Sequence, residues 1–134
     1  MVVVDASIWV SWFKADDRFH EQAEKIFQAI ELCEETICIP ATAFTEVAGV
    51  MKRTTQNDNL AWGAVYYMKG MELEVLTDFD KLEPLATEIA IKYGVKGMDA
   101  YYLAVAELTK SKLYTFDMQQ EDAFEAISKD WQAE

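Results

Sequence analysis

Four short runs of apolar and β-branched residues predict buried β-strands in this chain. The runs are Val2–Val4, Thr36–Ile39, Leu73–Leu76 and Leu113–Phe116. Asp5 bounds the first run, and Pro40 ends the second because proline cannot donate to a strand ladder. The third run alternates only weakly between apolar and polar positions.

Between these runs, apolar residues recur at helical spacing. Ala23, Ile26, Phe27 and Ile30 fall at positions i, i+3, i+4 and i+7, which form one face of a helix. A long helix that ends with Tyr93 is expected to stop at Gly94, since glycine readily takes the left-handed conformation. Thr42 is the expected N-cap of another helix. Further helices are predicted over Ser7–Phe13, Leu60–Met68, Met98–Leu108 and the residues after Asp117.

Strands and helices therefore alternate along the chain. This order predicts an α/β sandwich, Rossmann-like in its layers, with a mainly parallel sheet of four or five strands. A length of 134 residues favours a single domain covering residues 1–134. Since 51% of the residues are hydrophobic, one buried core is within reach.

The net charge of the chain is −12, from 12 basic and 24 acidic residues. Neutralising phosphates supplies most of the affinity of a general nucleic-acid binder, so this charge argues against broad electrostatic binding. It is compatible with a compact metal site that acts on a short stretch of RNA. It also suits a basic protein partner.

The sequence predicts a soluble, cytoplasmic protein without a leader or a membrane span. Asp5 interrupts the apolar start, and no basic residues precede that start. No apolar run approaches the roughly 18 residues that a bilayer requires. Cys33 and Cys38 do not form a C-x-x-C motif, so both are interpreted as thiols in a reducing compartment.

Four acidic residues are the main candidates for chemistry. Asp5 and Asp117 each follow a predicted strand, Asp99 opens an apolar helix, and Glu46 lies inside a mostly apolar helical stretch. In an open α/β sheet the ligand site lies beyond the carboxyl ends of the strands, where such acids converge. Convergent carboxylates repel one another unless a cation lies among them, which indicates a metal site.

Each acid also has a structural interpretation. Aspartate is a favoured helix N-cap, and Asp5, Asp99 and Asp117 all lie near predicted helix starts. Asp117 has Gln120 three residues later, which is a capping-box arrangement. Glu46, taken singly, reads as a solvated surface residue. Capping by one carboxylate oxygen does not exclude ligation by the other.

The four acids lie in blocks that together resemble the PIN domain family. The blocks are Asp5-Ala6-Ser7, Pro40 followed by Glu46-Val47-Ala48, Gly97-Met98-Asp99-Ala100-Tyr101-Tyr102-Leu103-Ala104, and Thr115-Phe116-Asp117. Their order and spacing match from residue 1 to about residue 120. Within the family, the chain is most similar to the VapC-type toxins of prokaryotic toxin–antitoxin pairs.

The resemblance implies a Mg²⁺- or Mn²⁺-dependent endoribonuclease. Asp5, Glu46, Asp99 and Asp117 match the acidic quartet of the family, which is both catalytic and metal-binding. The resemblance also implies supporting hydroxyls. Ser7 and Thr115 match these positions. VapC-type toxins are typically homodimers, and each is silenced by an antitoxin whose basic tail places an arginine or lysine near the acids. After Asp117 this chain continues Met118-Gln119-Gln120, where many relatives carry basic residues or another acid.

Lys52, Arg53, Lys92 and Lys96 are the candidate phosphate contacts, with a solvated surface role as the alternative for each. Lys96 precedes Asp99 by three residues and could reach the same opening. Most of the aromatic residues are interpreted as core or dimer contacts rather than as base-stacking platforms.

The sequence argues against two other classes of acidic α/β protein and leaves two alternatives within the PIN fold open. A phosphoacceptor receiver domain would need paired acids after the first strand, and a haloacid-dehalogenase-type phosphatase would need Asp-x-Asp there. Asp5-Ala6-Ser7 satisfies neither requirement. A catalytically weak PIN-fold binding or regulatory module, and a solitary PIN nuclease outside a toxin–antitoxin pair, both remain as alternatives.

Overall fold

A computed structural model describes residues 1–133 of the chain, with side chains described through residue 131. Its sheet has four parallel strands in the order β3-β2-β1-β4, flanked by helices. The strands are β1 (Val2–Val4), β2 (Ile37–Pro40), β3 (Leu73–Leu76) and β4 (Lys112–Tyr114). The predicted α/β sandwich with a parallel sheet is therefore confirmed.

Helices connect the strands over the described residues. They are α1 (Ala6–Phe13), α2 (His20–Leu32), α3 (Thr42–Thr55), α4 (Asp58–Lys69), α5 (Phe79–Tyr93), α6 (Gly97–Thr109) and α7 (Met118–Lys129), followed by a short 3-10 helix, Asp130–Ala133. Gly94 ends α5 with φ 67°, as expected. None of the helices that the structure describes is long and apolar enough to cross a bilayer.

The centre of the molecule is β1, whose three residues are all buried between β2 and β4. Helix α6 packs against β1, β2 and β4 and buries an unbroken apolar run in its middle. Trp9 of α1 is fully buried, and its indole Nε1 donates to Val4 O at 3.1 Å. This bond fixes α1 directly above the end of β1.

Two predictions of local structure were wrong in detail. Ala41, not Thr42, is the N-cap of α3, and its φ of −58° and ψ of −26° are already helical, so Thr42 is the first residue of the helix. Strand β4 ends at Tyr114 rather than Phe116, because Thr115 and Phe116 turn toward the first helix. Asp99 lies in the first turn of α6, and a short loop connects that helix to α5.

Because all strands are parallel, their carboxyl ends meet along one edge of the sheet. Asp5 follows β1 directly, and α3 begins one residue after β2. The turn after β4 carries Thr115 and Asp117 to the same edge. This arrangement brings distant parts of the sequence to one site.

Candidate active site

One cavity of about 340 Å³ at this edge is lined by all four candidate acids. Asp5, Glu46, Asp99 and Asp117 reach it from β1, α3, α6 and the turn before α7. Ser7 lines it as well. The structure therefore brings together the residues that the sequence separates by more than 100 positions.

Asp5 is both the N-cap of α1 and the most buried acid of the site, with 3% of its surface exposed. Its Oδ1 accepts hydrogen bonds from Ser7 Oγ at 2.6 Å, from Ser7 N at 3.0 Å and from Ile8 N at 3.4 Å. Its Oδ2 accepts from Thr115 Oγ1 at 2.7 Å. The Asp5 side chain thus caps α1 and also lines the cavity.

Burial raises the pKa of Asp5 to about 7, which is far above its ordinary value of 3.8. The hydrogen bonds from Ser7, Thr115 and Ile8 lower this pKa, and the nearby charge of Asp99 raises it. Desolvation of the carboxylate outweighs the donors because the side chain has almost no contact with water. A compensating cation would favour the ionised form.

Glu46 has a buried oxygen, Oε1, without a hydrogen-bond partner among the described residues. Burial raises the pKa of its carboxyl; the Tyr102 hydroxyl lowers it, Asp99 raises it, and Arg53 and Lys96 lower it. The Tyr102 hydroxyl is close enough to act on Glu46, yet it forms no well-aligned hydrogen bond and is itself unsatisfied. Two adjacent polar groups therefore have spare bonding capacity beside the cavity.

Asp99 lies in the first turn of α6 and is not its N-cap, which is Lys96. Burial raises the pKa of Asp99, the charge of Asp117 raises it further, and Lys96 lowers it. Asp117 is the N-cap of α7, and its Oδ1 accepts from Gln120 N at 3.0 Å. Asp99 and Asp117 line the same cavity, and their like charges repel each other.

The two predicted hydroxyls join the ends of β1 and β4. Ser7 Oγ accepts from Phe116 N at 3.0 Å, and Thr115 Oγ1 accepts from Asp117 N at 3.0 Å. Each hydroxyl also donates to Asp5. Asp5 is therefore held by groups from both sides of the sheet edge.

Gln120 is a further residue of the site that the sequence assigned only to a capping box. It is fully buried; its Nε2 donates to Asp99 O at 3.2 Å, and its Oε1 lies 3.2 Å from Thr115 Oγ1. The reciprocal capping-box bond is absent, because Asp117 N donates to Thr115 instead. A buried glutamine in an otherwise polar helix segment has no sequence signal that separates it from an exposed one.

The basic candidates are placed differently from one another. Lys96 and Arg53 are close enough to the acids to lower the pKa of Glu46. Lys52 instead pairs with Asp58 at 2.6 Å and lines a separate cavity beside Trp62. Lys14, which the sequence did not single out, lines the acid cavity.

The donor set fits a hard divalent cation, since it consists of carboxylate oxygens, one of them unpartnered at Glu46. Within residues 1–133, no group of three or more acidic, histidine or cysteine side chains lies close enough together to hold one ion as it stands. Carboxylates repel one another, so side chains spread apart unless a cation draws them together.

Comparisons with known proteins agree with this architecture. A crystal structure of VapC20 from Mycobacterium tuberculosis, described as a sarcin–ricin loop-cleaving toxin, superposes with a TM-score of 0.79 at 19% identity, covering 92% of this chain and 95% of that one. A crystal structure of PAE2754 from Pyrobaculum aerophilum superposes with a TM-score of 0.63 at 19% identity, covering 99% and 96%. No sequence among the curated proteins matches the chain.

These two likenesses show a shared fold. The sequence model of the PIN domain matches residues 2–125, which is nearly the whole chain. The matched range includes every residue that lines the acid cavity. The chain belongs to the PIN domain family.

Proposed function

We propose that this protein is a Mg²⁺- or Mn²⁺-dependent endoribonuclease that hydrolyses RNA phosphodiester bonds. The observation that carries the proposal is the cavity lined by Asp5, Glu46, Asp99 and Asp117. PIN domains are generally nucleases, so this acid cavity is the natural place for the reaction. The four acids would hold the metal.

The metal, when bound, would polarise the scissile phosphate and lower the pKa of a water molecule so that it can attack in line. The protein supplies orientation. Ser7 and Thr115 fix both oxygens of Asp5, while Glu46, which lines the cavity, would take a metal bond or a proton from the attacking water. Lys96 and Arg53 offset part of the negative charge that would repel the substrate phosphate.

A toxin–antitoxin role is the second part of the proposal. VapC20, which shares the fold, is described as a toxin, and a net charge of −12 favours a basic partner. We expect a cognate antitoxin whose basic tail enters the acid cavity, a homodimeric toxin and a cytoplasmic location. A solitary nuclease would cut RNA without any such partner. A weak binding module would bind but not cut.

The test is cleavage of total cellular RNA by purified protein, with the new ends mapped. Activity should require Mg²⁺ or Mn²⁺, disappear in EDTA and fall sharply in Asp99→Asn. Asp122→Asn removes an exposed acid of α7 outside the cavity and is the matched control. Undiminished cutting in EDTA, or equal loss in both variants, would contradict the proposal.

A further inference from the structure

The loop of residues 14–19, which connects α1 to α2, lies beside the acid cavity. Lys14 and Asp17 both line that cavity. The loop is ordered by its own hydrogen bonds: Asp17 N donates to Lys14 O at 2.9 Å, and Phe19 N donates to Asp17 Oδ2 at 2.9 Å. Side chains on this loop therefore have defined positions relative to the acids.

Two aromatic rings are stacked at the end of this loop, and a guanidinium lies over one of them. The rings of Phe19 and Phe116 have centroids 5.1 Å apart with an interplanar angle of 28°. The Arg18 guanidinium lies 4.6 Å from the Phe19 ring centroid. Phe116 precedes Asp117, and its backbone N–H donates to Ser7 Oγ. The stack is thus attached to the same hydroxyl that holds Asp5.

The two cations of this loop are close to acids in sequence and in space, yet among the residues that it describes the structure pairs neither of them directly with a carboxylate. Neither Lys14 nor Arg18 forms an ion pair with a carboxylate of the described residues, although acids outnumber bases 24 to 12 in the chain. Lys52, by contrast, is paired with Asp58. Lys14 and Arg18 therefore remain available to an anionic ligand.

We propose that Lys14, Arg18, Phe19 and Phe116 form a subsite for one nucleotide of single-stranded RNA next to the acid cavity. Lys14 contacts a backbone phosphate at the cavity wall, and the base stacks on the Arg18–Phe19–Phe116 group. Aromatic rings and guanidinium planes are the surfaces on which unpaired RNA bases stack. This inference rests on the proposed ribonuclease function.

The two unpaired cations and the stacked rings favour a nucleotide at this subsite, although Asp16 and Asp17 leave the loop of residues 14–19 with no net charge. The phosphate of a nucleotide is attracted by the same two groups, and the acids alone would repel it. The loop therefore gives an acidic protein a local anchor for an acidic substrate.

The test measures binding of a short fluorescein-labelled oligouridylate by anisotropy in EDTA, over a series of salt concentrations. Lys14→Ala should lower the slope of log affinity against log salt by about 0.7, since one phosphate contact on a single strand is lost. Arg18→Lys keeps the charge and loses the flat guanidinium. It should therefore keep the salt slope but lower the affinity for the oligouridylate by about fivefold or more. Lys129→Ala, at the far end of α7 from Asp117, is the charge-matched control.

An unchanged slope in Lys14→Ala, or wild-type affinity in Arg18→Lys, would overturn the subsite. A variant of Lys14 or Arg18 that bound a basic peptide more weakly, but bound RNA as tightly as the wild type, would also overturn the subsite. Cleavage in Mg²⁺ is measured separately to distinguish the two proposals. Wild-type protein that binds through this loop but never cuts would refute the nuclease and leave the subsite. Cleavage with an unaltered KM in both variants would refute the subsite and leave the nuclease.

Discussion

The Thr115 hydroxyl donates to Asp5 Oδ2 at 2.7 Å across 110 residues of sequence. Thr115 Oγ1 also accepts a hydrogen bond from Asp117 N, and it lies 3.2 Å from Gln120 Oε1. One hydroxyl therefore links the buried acid at the end of β1 to the N-cap of α7. Its removal should affect the site far more than the fold.

Thr115→Val should lower the cleavage rate and the apparent Mg²⁺ affinity by roughly tenfold to a hundredfold, as is usual when a group that orients a metal ligand is lost. Thr115→Ser retains the hydroxyl and should recover most of the activity. Thr109→Val is the matched control, because Thr109 Oγ1 donates only to Val105 O of its own helix. Equal effects of the two valine substitutions would contradict an orienting role for Thr115.

Gln120→Leu should destabilise the protein by about 1–3 kcal/mol, since it removes a hydrogen bond from a buried position. Asp99 O loses the donor Nε2 of Gln120, while the Thr115 hydroxyl keeps its bond to Asp5. Urea denaturation measures the free energy of unfolding, and Mg²⁺ titration of the folded protein measures the effect on the site. Gln28→Leu changes an exposed glutamine of α2 and should cost little. A variant as stable as Gln28→Leu would show that the network contributes nothing.

The strands and the acids were predictable because each leaves a local signal. The runs Val2–Val4 and Ile37–Pro40 carry the β-branched residues of buried strands, and Gly94 marks a left-handed helix end. Strand order in a parallel sheet then places Asp5 and Asp117 at one edge. Local signals plus one topological rule thus account for much of the candidate site.

The remaining features depend on tertiary contacts that no local pattern encodes. Lys52 and Lys14 look alike in sequence, yet Lys14 lines the acid cavity, whereas Lys52 pairs with Asp58 of the next helix. The burial of Gln120 has no local sequence signal, because it depends on contacts with α6 and Thr115. Thr42 has the residue type of a cap, but the helical backbone already at Ala41 removes that role.

The buried Asp5 carboxyl predicts an unusual pH dependence of stability in the metal-free protein. An unfolded aspartate loses its proton near 3.8, whereas folding raises the pKa of Asp5 to about 7. Between these values the folded state binds more protons, so the free energy of unfolding falls as pH rises, by roughly 4 kcal/mol at most. Burial raises the pKa values of Glu46 and Asp99 as well, which adds to the same trend.

Asp5→Asn stays neutral and isolates the contribution of Asp5. Urea denaturation in EDTA at about pH 5 and about pH 8 should show a smaller loss of stability in the variant than in the wild type. Asp122→Asn should behave like the wild type because its side chain is exposed. Parallel pH profiles for wild type and Asp5→Asn would show that Asp5 is not the desolvated acid described here.

Magnesium should raise the thermal midpoint of the wild type, because a ligand that binds only the folded state stabilises it by mass action. At a concentration of about a hundred times the dissociation constant, the gain is about 2.7 kcal/mol. Asp99→Asn removes the negative charge of one candidate metal ligand and should reduce the stabilisation by Mg²⁺. Asp122→Asn should retain that stabilisation. Scanning calorimetry with and without millimolar Mg²⁺ measures the shift. A wild-type midpoint insensitive to metal would show that the four acids do not converge on an ion.

The proposed antitoxin should compete with magnesium for the acid cavity. A basic tail side chain placed among Asp5, Glu46, Asp99 and Asp117 would occupy the volume of the ion, so each ligand should weaken the other. Binding should also weaken with added salt, since complementary charge on a protein of net charge −12 drives the encounter.

Titration calorimetry of the purified pair, with and without Mg²⁺, measures this competition. Replacing the basic residue of the tail by glutamate should restore nuclease activity in the complex, while replacing a neighbouring polar residue should not. Pull-downs from the native cells should recover a small basic-tailed partner. If the pull-downs recover no such partner, the toxin role is refuted. Metal-dependent cleavage of RNA by the isolated protein would then indicate a solitary nuclease.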